Sequence, residues 1–251
     1  MPRKLGWLRQ FHQPESPGSP PLLVFPHAGA GASAYREFSR VLSATFDVVV
    51  FQYPGRQDRA AEPPLGSLPE IAAGAFAEFA ASDHNRSPIV VFGYSMGAGI
   101  AFELVRIAEA RGIQVRQLNV CSAVAPWRAA RKAERPRTDE EILRHIAILE
   151  GTTADVIGSS DLMNLVFPSV RADYQACDAY ACDENVQVAA PIRVLGADQD
   201  PYVTLGDLYG WFKHSGNVEL TMFDGGHFFL SDHINDVAAL LASCARRGRA
   251  L

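Results

Sequence analysis

The residues best placed to do chemistry lie at 89–99, Ile-Val-Val-Phe-Gly93-Tyr94-Ser95-Met96-Gly97-Ala-Gly99. A β-branched apolar run leads into G-x-S-x-G and a stretch of helical period follows, which is the context of a nucleophile elbow. In such a strand-to-helix turn the backbones pass so close that side chains at the flanking glycines would clash. The serine hydroxyl is bared at the sheet edge. The amide of Met96 lies at a helix N-terminus, where developing negative charge is favoured. A serine becomes nucleophilic only when a base takes its proton, so the reading demands a histidine and an acid further along the chain.

Both are present, in the order Ser…Asp…His that this architecture uses. Ala-Asp198-Gln-Asp200-Pro201 follows one strand-like run, and Asp224-Gly-Gly-His227-Phe-Phe follows the last. Ser95, Asp200 and His227 are therefore the expected nucleophile, orienting acid and base. Asp198 competes for the acid role but could instead satisfy loop N–H groups, and Asp224 is a third candidate on the base's own loop. His12, His84, His145, His214 and His233 lie in polar surroundings or near a helix start and read as surface residues.

A second glycine-rich turn, Pro26-His-Ala-Gly-Ala-Gly-Ala-Ser-Ala34, also follows a strand and opens a helix. Its Gly29-x-Gly31-x-x-Ala34 spacing matches a dinucleotide fingerprint, which also wants an acid about 20 positions on to bind the ribose; this chain has Gln52 there. The competing reading is that small residues let the backbone approach a reacting oxygen, with Ala28 N–H as a second donor beside that of Met96. His27 reads as a loop-orienting histidine.

These loops need a scaffold that brings them to one edge. Buried-strand runs occur at 22–25, 48–52, 89–93, 118–123, 192–196 and 218–223, separated by helical periodicity at 35–43, 67–81, 96–111 and 205–213. Such alternation predicts a mostly parallel sheet with helices on both faces, whose strands deliver their following loops to one edge. The rhythm fails between about 126 and 186. There a capping box, Thr138-Asp-Glu-Glu141, starts one helix, and a second runs over about 160–180 with Pro168 as a break or kink. The stretch reads as a helical lid insertion, with ordinary crossover helices as the competing reading. Met163, Leu165, Val166 and Phe167 are candidates either to line the site or to pack the cover onto the sheet.

At 251 residues, with 48% apolar and 20% charged residues, the chain has the composition of an ordinary single domain with one sizeable core. A net charge of −5 argues against nucleic-acid binding, and the basic cluster Arg246, Arg247 and Arg249 reads as a solvated tail. No apolar run approaches the roughly 20 residues of a membrane span, and no signal-like stretch follows the basic start, so a cytoplasmic protein is expected. The four cysteines lack paired spacing and read as idle thiols. No cluster has metal-ligand spacing, and none is needed for serine chemistry.

Taken together, the motifs resemble the type II thioesterases of polyketide and nonribosomal peptide synthesis, which are α/β-hydrolases. The likeness runs through FPHAGAGASAY (25–35), QYPGRQDR (52–59), GYSMGA (93–98), GADQDPYV (196–203) and GGHFFL (225–230). One departure is Tyr94, where that family usually has histidine. The resemblance implies an acyl thioester substrate on the phosphopantetheine arm of an acyl or peptidyl carrier protein, no cofactor of the enzyme's own, and an editing role for a monomer. A generic carboxylesterase acting on free small esters shares every one of these catalytic residues, and a silent synthase-docking protein is a third possibility.

Overall fold

A computed structural model describes residues 6–86, 88–129, 136, 138–149 and 160–246; the side chains of 160–165, 245 and 246 are outside that description. Seven strands form one sheet among these residues: β1 (Leu8–Arg9), β2 (Pro21–Phe25), β3 (Asp47–Phe51), β4 (Ile89–Tyr94), β5 (Val115–Cys121), β6 (Ile192–Ala197) and β7 (Val218–Phe223). Their spatial order is β1-β3-β2-β4-β5-β6-β7, and every pairing is parallel except that of β1 with β3. The α-helices among the described residues are α1 (Arg36–Leu42), α2 (Leu68–Ala80), α3 (Met96–Ala110), α4 (Pro126–Ala129), α5 (Asp139–Leu149), α6 (Ser160–Ala179), α7 (Leu205–Tyr209) and α8 (Ile234–Arg246).

β2, β3 and β4 are mainly apolar because both faces are covered, and successive residues feed two different cores. Leu23, Phe25, Val49, Phe51 and Val91 pack with α2 and α3, whereas Leu22, Val24, Val48, Val50, Val90 and Phe92 pack with α1 and α8. The expected strand–helix alternation is thus observed, with three differences. β1 is too short to have a sequence pattern. β7, read as a buried strand, is an edge strand with half-exposed residues. The 205–213 helix ends at Tyr209 and tightens into a 3₁₀ turn over Gly210–Lys213.

Between β5 and β6 the described residues form only helices, α4, α5 and α6. The capping box that starts α5 is present, with Thr138 N–H donating to Glu141 (3.0 Å) and Glu141 N–H to Thr138 Oγ1 (3.2 Å). α6 continues through Pro168 rather than breaking there. Ile142, Phe167 and Val170 make a small apolar cluster of their own that joins α5 to α6.

The sheet order fixes where the loops meet. From β2 the chain passes to β3 on one side and to β4 on the other, so the crevice between β2 and β4 opens at their carboxyl ends, where such sheets bind ligands. Phe25 pairs with Gly93 at the end of that ladder, which sets the 26–34 turn directly beside the Ser95 turn.

Candidate active site

The elbow is built by exclusion. A Cβ on Gly97 would lie 2.0 Å from the Phe25 carbonyl oxygen, and one on Gly93 would lie 2.3 Å from that of Gly97. Neither contact is possible, so both positions must be glycine for β2, β4 and α3 to approach as they do. Ser95 itself adopts φ +51, ψ −117, in a region that side chains rarely occupy, with its N–H anchored on the Cys121 carbonyl at 2.8 Å. Such strain costs on the order of 1–3 kcal/mol and persists because the surrounding backbone allows nothing else.

Loops after β6 and β7 bring the other two groups to this hydroxyl. His227 Nε2 lies 3.1 Å from Ser95 Oγ, and His227 Nδ1 lies 2.8 Å from Asp200 Oδ2. Only 1% of either the His227 or the Asp200 side chain is exposed, so little water competes for this contact. Burial alone would raise the Asp200 pKa. The hydrogen bond and charge of His227 and the N–H groups of Val203 and Tyr202, at 3.0 and 2.9 Å from Oδ1, outweigh it and hold the carboxyl below its ordinary value. An ionised Asp200 accepting from Nδ1–H leaves Nε2 as the lone-pair nitrogen that faces the serine.

Asp198 has a different task. Its Oδ1 accepts from Gly225 N–H at 3.0 Å, and Gln199 N–H donates to the Gly225 carbonyl at 2.9 Å, which ties the acid loop to the base loop. Asp224 presents its carbonyl oxygen to His233 Nε2 at 3.0 Å. Neither carboxylate contacts His227.

The 26–34 turn stands opposite. Gly29 has φ +76, and Ala30 N–H closes the turn on the His27 carbonyl at 3.1 Å. Among the described residues neither the Ala28 amide nor the Met96 amide donates to a protein acceptor, and both residues line the cavity beside Ser95. Gln52 is fully buried and spent on backbone, its Oε1 accepting from Ala32 N–H (2.6 Å) and its Nε2 donating to the Arg56 carbonyl (2.9 Å). It cannot reach a ribose, which removes the dinucleotide reading. His27 orients the turn, as expected: Tyr35 Oη accepts from its backbone N–H (3.3 Å) and lies in hydrogen-bonding contact with its Nδ1 (2.9 Å). Burial, then the electrostatic influence of His227 and Arg56, lowers the His27 pKa to about 4, so it is neutral near pH 7.

None of the five histidines expected at the surface is exposed: His12, His84 and His233 are half-buried, and the remaining two differ most from the expectation. His214 is completely buried between Phe102 and Trp211, with its Nδ1 on the Val186 carbonyl at 2.7 Å. His145 is half-buried, 2.9 Å from Tyr174 Oη, and lines the cavity. Their neighbours in sequence are polar, but burial is decided by the helices packed over them.

The cavity at Ser95 has a volume of about 420 Å³ and a mainly apolar wall that includes Leu68, Met96, Ile146, Val166, Phe167 and Val170. Of the four residues proposed from sequence to line it, Phe167 is buried and Val166 lies at its exposed edge. The side chains of Met163 and Leu165 lie outside the described residues. No cluster of three metal-ligating side chains occurs among the described residues, and no described helix is long and apolar enough to cross a membrane.

Three further residues escaped sequence reasoning. Tyr94 Oη and Ser122 Oγ both donate to the His227 carbonyl, at 2.5 and 2.9 Å. Asp173 on α6 is fully buried and takes both Nη atoms of Arg56. Its signal was a charged residue on the apolar stripe Phe167, Val170, Tyr174, Cys177, which demands a buried partner. Ser122 carries no such signal.

Comparison with known proteins gives a consistent set of similarities. The family model described as "Thioesterase domain" matches residues 20–244. The phenyloxazoline synthase MbtB of Mycobacterium tuberculosis is 37% identical over 242 residues, which are 96% of this chain but 17% of that much longer protein. Thioesterase PikA5 of Streptomyces venezuelae is 35% identical over 92% of this chain and 82% of its own length. Among solved structures, the type II thioesterase BorB from the borrelidin biosynthetic cluster superposes with a TM-score of 0.86 at 35% identity, covering 95% of this chain and 97% of that one.

Proposed function

The chain belongs to the thioesterase family of α/β-hydrolases, and from that premise we propose that it is a serine thioesterase that hydrolyses acyl groups from the phosphopantetheine arm of acyl or peptidyl carrier proteins. The observation that carries the reading is the continuous chain Ser95 Oγ, His227 Nε2, His227 Nδ1, Asp200 Oδ2, at 3.1 and 2.8 Å, at the wall of an apolar cavity. The similarity to PikA5 and BorB points to the same class of substrate.

In this scheme Ser95 Oγ attacks the thioester carbonyl while His227 takes its proton and Asp200 stabilises the resulting imidazolium. The oxyanion is held by the amides of Met96 and Ala28, each such donor being worth about 10²–10³ in rate. Collapse expels the pantetheine thiol, protonated by His227, and leaves an acyl-enzyme. Water activated by the same histidine then attacks it and releases the free acid. The scheme uses no metal ion; the phosphopantetheine arrives as part of the carrier, as substrate. The insertion at about 126–186 acts as a cover over the acyl chain, a reading supported by the contribution of Leu143, Ile146, Phe167 and Val170 to the cavity wall.

A panel of acyl-carrier thioesters of varied chain length, run beside free small esters, tests the proposal. The wild type should turn over the carrier thioesters with the higher kcat/KM, and Ser95→Ala should lose about 10⁴–10⁶-fold in kcat with its fold intact by circular dichroism. Preference for free esters would favour the carboxylesterase reading. Failure of a fluorophosphonate to label Ser95 would favour the silent docking protein.

A further inference from the structure

The carboxylate of Asp173, fully buried on α6, has three donors and they come from two different loops. Arg56 Nη2 donates to Oδ1 at 2.7 Å, and Arg56 Nη1 and the Gly29 N–H each donate to Oδ2 at 2.8 Å. Gly29 is the residue after Ala28. Arg56 belongs to the loop after β3, lies over the Tyr53 ring at 5.0 Å, and donates from Nη1 to the Ala30 carbonyl at 3.4 Å. The backbone carbonyl of Arg56 is in turn held by Gln52, which also accepts from Ala32 N–H. The turn is therefore gripped at Gly29 N–H, Ala30 C=O and Ala32 N–H, which leaves the Ala28 amide, beside the cavity and without a protein acceptor among the described residues, little freedom. The grip is tight on the α6 side as well: a Cβ on Gly29 would lie 3.2 Å from Val170 Cγ2, one helical turn before Asp173.

We propose that Asp173 is a positioning residue for the oxyanion site: with Arg56 it fixes the 28–32 turn so that the Ala28 amide points at the reacting oxygen, and it thereby makes that site depend on where α6 sits. The proposal rests on the reading of Ala28 as an oxyanion donor given above. Two physical points favour a role beyond packing. Burying a bidentate ion pair contributes little net stability compared with an apolar pair of the same shape, so its use here is geometric. And a carboxylate whose second oxygen is shared with a backbone N–H sets the direction of a peptide plane, which a hydrophobic contact cannot do. A displacement of α6 that carried Asp173 with it would pull Gly29, and with it the neighbouring amide, out of line.

Two double variants separate geometry from packing. Arg56→Met with Asp173→Leu keeps the bulk but gives Gly29 N–H no acceptor; Arg56→Gln with Asp173→Asn is equally uncharged but keeps one. The readouts are melting temperature, kcat and KM on an acyl thioester, and affinity for an alkylboronic acid, which forms a tetrahedral adduct on Ser95, relative to that for the matching carboxylic acid. The Met/Leu pair should fold, lose about 10- to 100-fold in kcat and the same factor in boronate affinity, and change KM and carboxylic-acid affinity less than about threefold. The Gln/Asn pair should stay within about fivefold of wild type. Retention of kcat and boronate affinity by the folded Met/Leu pair overturns the proposal, as does an equal loss in both pairs. If the Met/Leu pair does not fold, Asp173→Glu carries the test, since it keeps the charge but pushes the carboxylate a methylene toward the turn. It should lose boronate affinity at near-native melting temperature, and unchanged affinity counts against the proposal. The boronate arm needs no thioester. A wild type that binds boronate but ignores carrier thioesters therefore sinks the substrate assignment alone, and one that does not bind boronate sinks both.

Discussion

Tyr94 occupies the position directly before Ser95 with a side chain that turns back into the fold and holds His227. Its hydroxyl and that of Ser122 use both lone pairs of the His227 carbonyl. The Tyr94 ring also packs edge-on against the His227 imidazole at 6.3 Å and stacks on Phe228 at 6.2 Å. Burial raises its pKa well above the ordinary value for tyrosine, so at neutral pH it is a protonated donor. One neutral hydrogen bond contributes about 0.5–1.5 kcal/mol net, a factor of roughly 2–10. Tyr94→Phe should therefore lower kcat and the fluorophosphonate labelling rate of Ser95 together by about that factor. Adding Ser122→Ala should cost more than the product of the two single effects, because the carbonyl then has no donor. Strict additivity in a double-mutant cycle would mean that the two hydroxyls do not share the task. The geometry also explains how tyrosine serves where histidine is usual: what the site asks of this residue is a donor reaching a backbone carbonyl.

At the scale of elements, α5 and α6 differ from the helices that cover the sheet. The latter share in the two large cores, while α5 and the middle of α6 pack on each other through Ile142, Phe167, Val170 and their neighbours. Loosening that cluster should affect the cover before it affects the sheet. Phe167→Ala removes a buried aromatic, a change that costs about 3–5 kcal/mol in a main core. Here the cost should fall on the local unit. Amide exchange over 139–149 should accelerate while the protection of β4 is unchanged, and kcat/KM should shift toward longer or bulkier acyl groups as the cavity grows. A uniform loss of protection across α5 and β4 would show that the helices unfold only with the sheet. Several features of these elements were legible because they are local, such as the α5 capping box and the glycines of the elbow. Continuity of α6 through Pro168 was not, since the helix is stabilised by what it packs against.

For the whole molecule, the buried imidazoles set the acid response. His27 titrates at about 4 in the folded protein against an ordinary 6.5, and burial, opposed by the Val186 carbonyl, lowers His214 as well. Both are held neutral in the fold and charge freely when it is lost. The stability they contribute is therefore complete above pH 6.5; that of His27 is lost as pH falls from there to about 4, and that of His214 likewise declines as pH falls below 6.5. The carboxylates with depressed values, Asp47 and Asp200, act lower, losing their contribution only as pH falls below their ordinary 3.8. The melting temperature should thus begin to fall at mildly acid pH, before carboxylate protonation starts. His214→Gln should flatten the slope below pH 6.5, whatever it does to the absolute value. An unchanged slope would remove His214 from the account.

What the sequence determined by itself was whatever depends on near neighbours along the chain. The strained elbow needs Gly93 and Gly97, the strands alternate with helices, and each functional loop follows a strand, so parallel pairing was enough to predict that Ser95, Asp200 and His227 share one edge. Tertiary structure alone decided the pairings between distant residues. The preference for Asp200 over Asp198 was settled by the direction in which each carboxylate points across the β6 and β7 loops, and the case against a ribose ligand by Gln52 being turned inward. The partners of Asp173, the anchoring of His227 by Tyr94 and Ser122, and the burial of His214 likewise depend on side chains brought together across 28 to 144 residues of chain. A local pattern records which residues want burial or a partner. Only packing in three dimensions chooses which partner they receive.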